Sequence, residues 1–300
     1  MNFAGAEAHV AASYTLLGGT ARFVTALPKN PLAEACIAYL NGVGIDTTAI
    51  VRTDTGRLGT YYIEVGAAQR SSGVVYDRAH SAIAEAPPET YDWPAILADA
   101  DHLHVTGITP ALSRNAAEAT RSAVETAKSA GVSVSCDLNY RGKLWNWEPS
   151  TPKKELARRT MEGILPFVDL IVANEADADD VLGIRAGDTV VESGALETDR
   201  YPDVARRIVE RFPGVGRVAI TLRESVSASH NRWGAMLYDA TDDSATFAPQ
   251  REGRYTPYEI TPIVDRVGAG DSFGAALLFA GGDPALRGDA GDPRLRGPRR

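Results

Sequence analysis

The sequence predicts an α/β protein built on a doubly wound, mostly parallel sheet with a small β-sheet lid. From residue 102 to residue 222, apolar segments of strand length alternate with helical patterns. This alternation is typical of parallel sheets whose strands are joined by helices. Between about residues 48 and 76, short β-rich segments follow one another with only turn residues between them. Such a pattern indicates a second, smaller sheet.

Composition excludes several classes of function. The chain has 300 residues, 44% of them hydrophobic, and a net charge of −8. An acidic protein is poorly suited to nucleic acid, because that binding depends on neutralising phosphates with Lys and Arg. No secretory leader and no apolar run of membrane-spanning length is evident. We therefore expect a cytoplasmic protein with no nucleic-acid or membrane partner.

The first 47 residues predict a helix, a strand and a second helix. The small residues from Ala4 to Leu17 form a helical segment that ends at a Gly-Gly pair, and residues 21–27 have the composition of a strand. Asn30 and Pro31 then favour a helix start that continues to about Gly42.

The lid is predicted from three segments, 49–52, 59–65 and 73–76, which are separated by turn residues. Strands without intervening helices favour an antiparallel sheet set apart from the main body. Such a sheet can close over a ligand, although an ordinary surface excursion would look similar in sequence.

The remaining elements follow in regular alternation. The predicted strands are 102–105, 132–137, 168–172 and 218–222, and the predicted helices are 113–130, 153–165 and 201–212. Polar residues come directly after these strands, and ligands of doubly wound sheets bind beyond the carboxyl ends of the strands. The residues at these strand ends are therefore site candidates as a set.

The stretch Gly268-Ala269-Gly270-Asp271 is the strongest of these candidates. Ile263 and Val264 before it predict the end of a strand, and the small apolar residues after it predict a helix. Unpaired N–H groups at a helix start bind anions, and a carboxylate beside them suits deprotonation of an alcohol that attacks a phosphoryl group. A tight turn with an acidic helix cap is the alternative.

Asp265–Phe273 resembles the signature of the ribokinase-like (PfkB-type) carbohydrate kinases, and the resemblance covers about residues 3–280. Further stretches resemble the 2-keto-3-deoxygluconate kinase branch of that family. These are Ala6–Ala8, Phe23–Leu32, Gly56–Gly59, Tyr76–Ala79, Gly107–Leu112, Cys136–Arg141 and Thr221–Ser225.

The resemblance implies a role for each matching residue. Asp271 would be the general base, and Gly268, Ala269 and Gly270 would donate backbone N–H groups to the transferred phosphoryl group. The substrate-binding residues would be Gly5, Tyr61, Tyr76, Arg78, Ile108 and Arg141. The nucleotide-binding residues would be Asn174, Thr221, Arg223, Ser225, Gly268 and Gly270. Asn174 and Asp177 would position Mg²⁺ through water.

The activity that the resemblance implies is ATP-dependent phosphorylation of the terminal hydroxyl of 2-keto-3-deoxygluconate. Another sugar kinase, such as one for fructose, is an alternative, as is an inactive remnant that only binds ligand. Relatives of this kind often pair through their lids, so a homo-oligomer is also expected.

Several local alternatives remain open at the level of sequence. Tyr61 could pack in the sheet, Asn174 could cap the helix that follows it, and Arg78 could pair with a surface carboxylate. His102 and His104 alternate along a strand and could bind a metal or simply pack, with no third ligand nearby in sequence.

The chain also departs from the family pattern. His9 stands where relatives often have Asn. The strand that precedes Gly5 in the family is reduced here to residues 1–3, so exposed sheet edges are expected. Residues 281–300 replace the family's last helices with a segment lacking aromatic and β-branched residues, which predicts disorder and resembles the product of a shifted reading frame.

Overall fold

The computed structural model describes residues 2–66, 70, 73–185, 200–265 and 267–282. Its helices are α1 Ala6–Leu16, α2 Pro31–Gly42, α3 Ala82–Glu85, α4 Trp93–Ile96, α5 Arg114–Ser129, α6 Lys153–Glu162, α7 Glu175–Leu182, α8 Tyr201–Arg211 and α9 Ala269–Gly282. Its strands are β1 Thr25–Pro28, β2 Ile50–Thr53, β3 Thr60–Glu64, β4 Gly73–Asp77, β5 His102–Thr106, β6 Ser133–Asp137, β7 Leu170–Asn174, β8 Arg217–Ser227, β9 His230–Asp239, β10 Ser244–Ala248, β11 Gln250–Arg251, β12 Arg254–Tyr255 and β13 Tyr258–Ile260.

The main sheet confirms the predicted mostly parallel α/β fold. Its strand order is β10-β9-β8-β7-β6-β5, with β13 also paired to β9. Strands β5 to β8 run parallel, and α5, α6, α7 and α8 lie in the connections between them. Because parallel strands end on the same side, Thr106, Asp137, Asn174 and the outer half of β8 come to one edge of the sheet.

The N-terminal helix and strand pattern is confirmed, apart from the partner of β2. Asn30 caps α2 by accepting a hydrogen bond from the N–H of Ala33 at 2.9 Å. Strand β2 pairs in parallel with β1 and does not join the lid, so the prediction of a three-segment lid is wrong at this point. The pairing is parallel because β2 follows a helical crossover, and the lid is the β3–β4 hairpin alone.

A gap lies between β1 and β5. In the part of the chain that the structure describes, β1 has only β2 as a strand partner and β5 has only β6. A cavity of about 1330 Å³ is lined by residues of both β1 and β5. The buried polar atoms Tyr91 Oη, Trp93 Nε1 and His104 Nε2 have no hydrogen-bond partner among the described residues. This gap agrees with the expectation of exposed sheet edges.

The C-terminal part of the main sheet was not anticipated. Strands β9, β10 and β13 extend it with antiparallel pairs. Residues 263 and 264 do not form the predicted strand end, and the side chain of Val264 is 95% exposed. The N–H of Ile263 donates to the carbonyl of Ser229, in the turn between β8 and β9, at 2.9 Å, and this single bond to a turn does not make a strand. Residues 283–300, most of the predicted disordered segment, lie outside the described residues.

Helix α9 packs along α1, the first helix of the chain. Val10 of α1 is buried with Ala275 and Leu278 of α9. The rings of Tyr14 and Phe279 meet edge to face at a centroid distance of 5.7 Å. The start of the chain thus covers the helix that carries the Gly-Ala-Gly-Asp motif. Among the described helices, none has the length and apolar character of a membrane span.

Gly107 is required by the close approach of two chain segments at the ligand side of the sheet. A Cβ at this position would lie 2.1 Å from the carbonyl oxygen of Leu138. The N–H of Gly107 meanwhile donates to the carbonyl of Asp137 at 2.8 Å. The clash is with backbone, so a side-chain rotation cannot relieve it.

We expect Gly107→Ala to lower the free energy of unfolding by about 3 kcal/mol or more, because two buried strand ends must separate. Gly42→Ala is the matched control, since a Cβ there meets nothing within 4 Å and Ala favours a helix. Denaturant unfolding measures both. Equal stability of the two variants would contradict the proposed strain.

Candidate active site

A cavity of about 430 Å³ brings together all six predicted substrate residues. It lies between the lid, α1, the ends of β5 and β6, and the start of α9. Its lining includes Gly5, Tyr61, Tyr76, Arg78, Ile108 and Arg141, together with Gly268 and Asp271. Residues more than 260 positions apart in sequence therefore share one pocket.

The start of α9 has the geometry of an anion site. Gly268 has a φ of +79°, which a residue with a side chain rarely adopts. Its carbonyl accepts a hydrogen bond from the N–H of Ser272 at 2.8 Å, so the turn leads directly into the helix. A Cβ on Gly270 would meet nothing within 4 Å. The N–H groups of Gly268, Ala269 and Gly270 thus stand at the positive end of a 14-residue helix.

Asp271 is held by a histidine. The Nδ1 atom of His9 lies 2.8 Å from Oδ2 of Asp271, and the side chains are 25% and 12% exposed, respectively. An ionised carboxylate only accepts hydrogen bonds, so His9 carries a proton on Nδ1 when Asp271 is charged.

Glu7 fastens α1 to the end of β5. Its Oε1 accepts hydrogen bonds from the hydroxyl groups of Thr106, at 2.7 Å, and Thr109, at 2.8 Å. Both threonines adjoin the strand end that lines the cavity. The helix carrying His9 is thus fixed relative to the sheet.

Arg78 is a cation that lies over two aromatic rings of the lid. Its guanidinium lies 5.2 Å from the ring centroids of both Tyr61 and Tyr76. No ion pair of Arg78 is found within the described part of the chain. Burial lowers the pKa of its guanidinium below the ordinary value. Asp77, the carboxylate next to it in sequence, is bound by Arg57 instead, so the surface-pair alternative for Arg78 is not what the structure shows.

Arg141 lines the cavity, and the buried carboxyl group of Asp137 lies behind it at the end of β6. Arg141 is exposed, and its Nη1 donates to the carbonyl of Tyr140 at 3.3 Å. Burial raises the pKa of Asp137 to about 8, with Asp177 and Asp271 adding to the shift. Asp137 is therefore largely protonated at neutral pH. In that form it carries no negative charge that would repel the carboxylate of Asp271.

Of the predicted nucleotide residues, Gly268 lines this cavity, whereas Asn174, Thr221, Arg223 and Ser225 lie on β7 and β8 outside it. Asn174, at the end of β7, is the register partner of Thr221 on β8. Thr221, Arg223 and Ser225 alternate along β8 and so share one face, and Arg223 and Ser225 are exposed.

Asn174 and Asp177 form a capping box at the start of α7. Oδ1 of Asn174 accepts from the N–H groups of Ala176 and Asp177, at 2.9 and 3.0 Å. The carboxylate of Asp177 accepts from the N–H groups of Asn174 and Tyr140, at 3.1 and 3.0 Å, and the residue is 3% exposed. Direct coordination of Mg²⁺ by this pair does not fit these bonds. The prediction that Asn174 and Asp177 position Mg²⁺ through water stays a prediction.

His102 and His104 are packing residues. The two ring nitrogens of His102 bond the hydroxyls of Ser133 and Ser135, both at 2.7 Å, and Nδ1 of His104 lies 2.8 Å from the hydroxyl of Ser135. No cluster of three metal-binding side chains is present among the described residues. The metal alternative for this pair therefore finds no support.

Several cavity residues were not among the predicted ligands. His9 lines the cavity and was noted in the sequence only as a departure from the family, because its partner Asp271 is distant in sequence. Asn139 lines the cavity with a φ of +35°. Asn139 is one of the polar residues after the predicted strands, which the sequence indicated as site candidates without a ligand role for this residue. Asp265 also lines the cavity.

Comparison with known proteins decides the family. The family model for pfkB family carbohydrate kinases matches residues 1–199. A 2-dehydro-3-deoxygalactonokinase from Haloferax volcanii is 34% identical over 277 residues, which are 92% of this chain and 74% of that protein. The chain belongs to the PfkB family of carbohydrate kinases.

Solved structures of this kinase family agree in fold. The crystal structure of 2-dehydro-3-deoxygluconokinase from Thermotoga maritima is 40% identical, with a TM-score of 0.81 over 98% of this chain and 80% of that one. A fructokinase with bound ATP from Xylella fastidiosa is 19% identical, with a TM-score of 0.70 over 98% of this chain and 81% of that one. The second likeness supports the fold alone, and both confirm the ribokinase-like architecture.

We expect the buried histidines to make the protein less stable in acid. Burial lowers the pKa of His102 to about 4 and that of His104 to about 3, below the ordinary value of about 6.5. As the pH falls below about 6.5, these histidines become protonated in the unfolded state but stay neutral in the folded state. Each histidine therefore lowers the free energy of unfolding by up to about 1.4 kcal/mol per pH unit.

The measurement is the free energy of unfolding at pH 7 and pH 5. The double variant His102→Asn, His104→Asn should lose less stability across this interval than the unmodified chain. An unchanged slope in the double variant would contradict the prediction.

Proposed function

We propose that this kinase transfers the γ-phosphoryl group of ATP to the terminal hydroxyl of a 2-keto-3-deoxy sugar acid, with 2-keto-3-deoxygluconate as the preferred substrate. The observation that carries the proposal is Arg78, a half-buried cation that lines the same cavity as Asp271 and has no carboxylate partner among the described residues. A desolvated guanidinium stabilises a ligand that brings a carboxylate to it.

The arrangement supports a direct transfer. The sugar carboxylate binds between Arg78 and Arg141, and the opposite end of the sugar reaches Asp271. Asp271 accepts the hydroxyl proton as the oxygen attacks the γ-phosphorus in line, and the leaving group is ADP. The N–H groups of Gly268, Ala269 and Gly270 stabilise the charge on the transferred group.

The β3–β4 hairpin supports exclusion of water from the reaction. It carries Tyr61 and Tyr76 over the cavity, and Nζ of Lys143 donates to the carbonyl of Val74 at 2.9 Å. Water left in the site would compete with the sugar for the phosphoryl group. Mg²⁺ would enter with the ATP phosphates and neutralise part of their charge while keeping its own water ligands.

The lid also supports the predicted homo-oligomer. Tyr62 and Val75 are register partners on the hairpin face away from the cavity, and both are exposed apolar side chains that a second copy of the chain could cover. Dependence on ATP supports the predicted cytoplasmic location, because ATP is concentrated inside cells.

The two named relatives differ in the sugar acid that they act on. The Thermotoga maritima enzyme is named for the gluconate form and the Haloferax volcanii enzyme for the galactonate form. These acids differ in configuration at C4 and share the carboxylate that Arg78 would recognise. The higher identity to the gluconate enzyme favours 2-keto-3-deoxygluconate, and a coupled assay with both epimers and Mg-ATP tests this directly.

Fructose phosphorylation is the second candidate within the family. It has only the fold likeness to a fructokinase in its favour, and a neutral sugar would leave Arg78 unpaired. A ligand-binding remnant without activity remains the alternative from another class, and turnover in the coupled assay would exclude it.

Asp271→Asn should lower kcat by about 10²–10⁴-fold, because the amide cannot accept the hydroxyl proton. ATP affinity should stay within about threefold of the unmodified chain, since the N–H groups of the motif remain. A coupled assay and nucleotide titration measure the two quantities. A variant with near-normal turnover would rule out Asp271 as the base.

Arg78→Met should raise KM for the sugar acid about 10- to 100-fold, because a hydrogen-bonded ion pair contributes about 1.5–3 kcal/mol. Met retains an unbranched chain that can still lie against the two tyrosines. Arg70→Met is the matched control, since Arg70 also adjoins the lid but already pairs with Glu64 at 2.8 Å, and its KM should change less than about threefold. Equal effects of the two substitutions would argue against carboxylate recognition by Arg78.

A further inference from the structure

We propose that His9 is a positioning residue for Asp271, holding one carboxylate oxygen so that the other faces the sugar hydroxyl. This inference rests on the proposed function, in which Asp271 is the general base. His9 itself does not take the substrate proton.

The two carboxylate oxygens of Asp271 differ in their hydrogen bonding. Oδ2 bonds Nδ1 of His9 at 2.8 Å, whereas Oδ1 has no hydrogen-bond partner among the described residues. The carboxylate is thus fixed at one oxygen and left available at the other. An incoming hydroxyl group would complete the arrangement.

His9 is itself well fixed. Its imidazole lies directly against the turn of the anion site, because a Cβ on Gly268 would lie 3.3 Å from Nδ1 of His9. On the same helix, Glu7 bonds Thr106 and Thr109, and Val10 is buried against α9. The ring therefore contacts both parts of the predicted catalytic motif from a rigid helix.

A base needs such a support because the carboxylate torsion of Asp is broad. Proton abstraction and in-line attack require a defined geometry, and a misplacement of about 1 Å can lower the rate about 10²-fold. Bases and nucleophiles of active sites are commonly oriented by a third group. The His9 imidazole supplies that group here.

The contact is not needed to hold the helices together. One turn beyond it, the hydroxyls of Ser13 and Ser272 lie 3.2 Å apart and link α1 to α9 a second time. The buried cluster of Val10, Ala275 and Leu278 supplies the packing between the two helices. Loss of the His9 bond should thus change catalysis more than stability.

Three variants test the proposal in the full chain. His9→Leu removes the donor and keeps a side chain of similar size. His9→Asn places an amide N–H close to the position of Nδ1, because both nitrogens are bonded to Cγ. Ser13→Ala removes the neighbouring bond between the same two helices and leaves Asp271 untouched.

We expect kcat of His9→Leu to fall about 10- to 100-fold, with KM for the sugar acid and for ATP within about threefold. His9→Asn should restore kcat to within about fivefold of the unmodified chain, and Ser13→Ala should be normal. Steady-state kinetics with 2-keto-3-deoxygluconate and Mg-ATP measure these values, and thermal melting reports the stability of each variant.

Full kcat in His9→Leu would overturn the inference while leaving the proposed function intact. Equal losses in His9→Leu and His9→Asn, each with a lowered melting temperature, would also overturn it, because they would show a structural role. If the unmodified chain phosphorylates no sugar acid, the proposed function fails, and the inference fails with it.

Discussion

The packing of α1 against α9 is the contact on which the candidate site depends. It joins segments that begin at Ala6 and Ala269 and places His9 beside Asp271. Neither helix could define the site alone, since α9 carries the base and the anion-binding turn, and α1 carries the side chain that holds the base. The buried cluster around Val10 and Leu278 makes this arrangement possible, because apolar burial supplies the free energy that fixes two polar groups in place.

The main sheet positions the other half of the site, because its strands β5 to β8 run parallel and because two chain segments lie in close contact at their ends. Parallel strands deliver Thr106 and Asp137 to one edge, where Gly107 allows the chain segments to lie in contact. The electrostatics follow from burial. Asp137 is held neutral at neutral pH, while Arg78 lies over two aromatic rings and has no carboxylate partner in the described part of the chain. The result is a pocket that offers the cations of Arg78 and Arg141 to an acid and the carboxylate of Asp271 to a proton.

Much of this organisation could be predicted from residue patterns. The alternation of strands and helices predicted β5 to β8 with their crossovers, and the residues after those strands predicted the edge where ligands bind. The six substrate residues came from a family resemblance, and one cavity contains them all. The predictions were wrong where the residue pattern of a segment favoured a strand but did not specify which strand it would pair with. Segment 49–52 has strand composition, but its composition does not say that its partner is β1, and the apolar Ile263 and Val264 find no strand to pair with.

By itself, the sequence determined the fold class, the Gly-Ala-Gly-Asp turn and the cation-bearing lid. These depend on local properties, namely hydrophobic periodicity, the conformational freedom of Gly268 and the residue types at strand ends. Only the tertiary structure decided which groups are paired. It gave Asp271 a histidine partner and committed Asn174 and Asp177 to a helix cap, and within the described residues it placed no counter-ion beside Arg78. Pairing depends on distances between residues far apart in sequence, and those distances are set by packing of the whole chain.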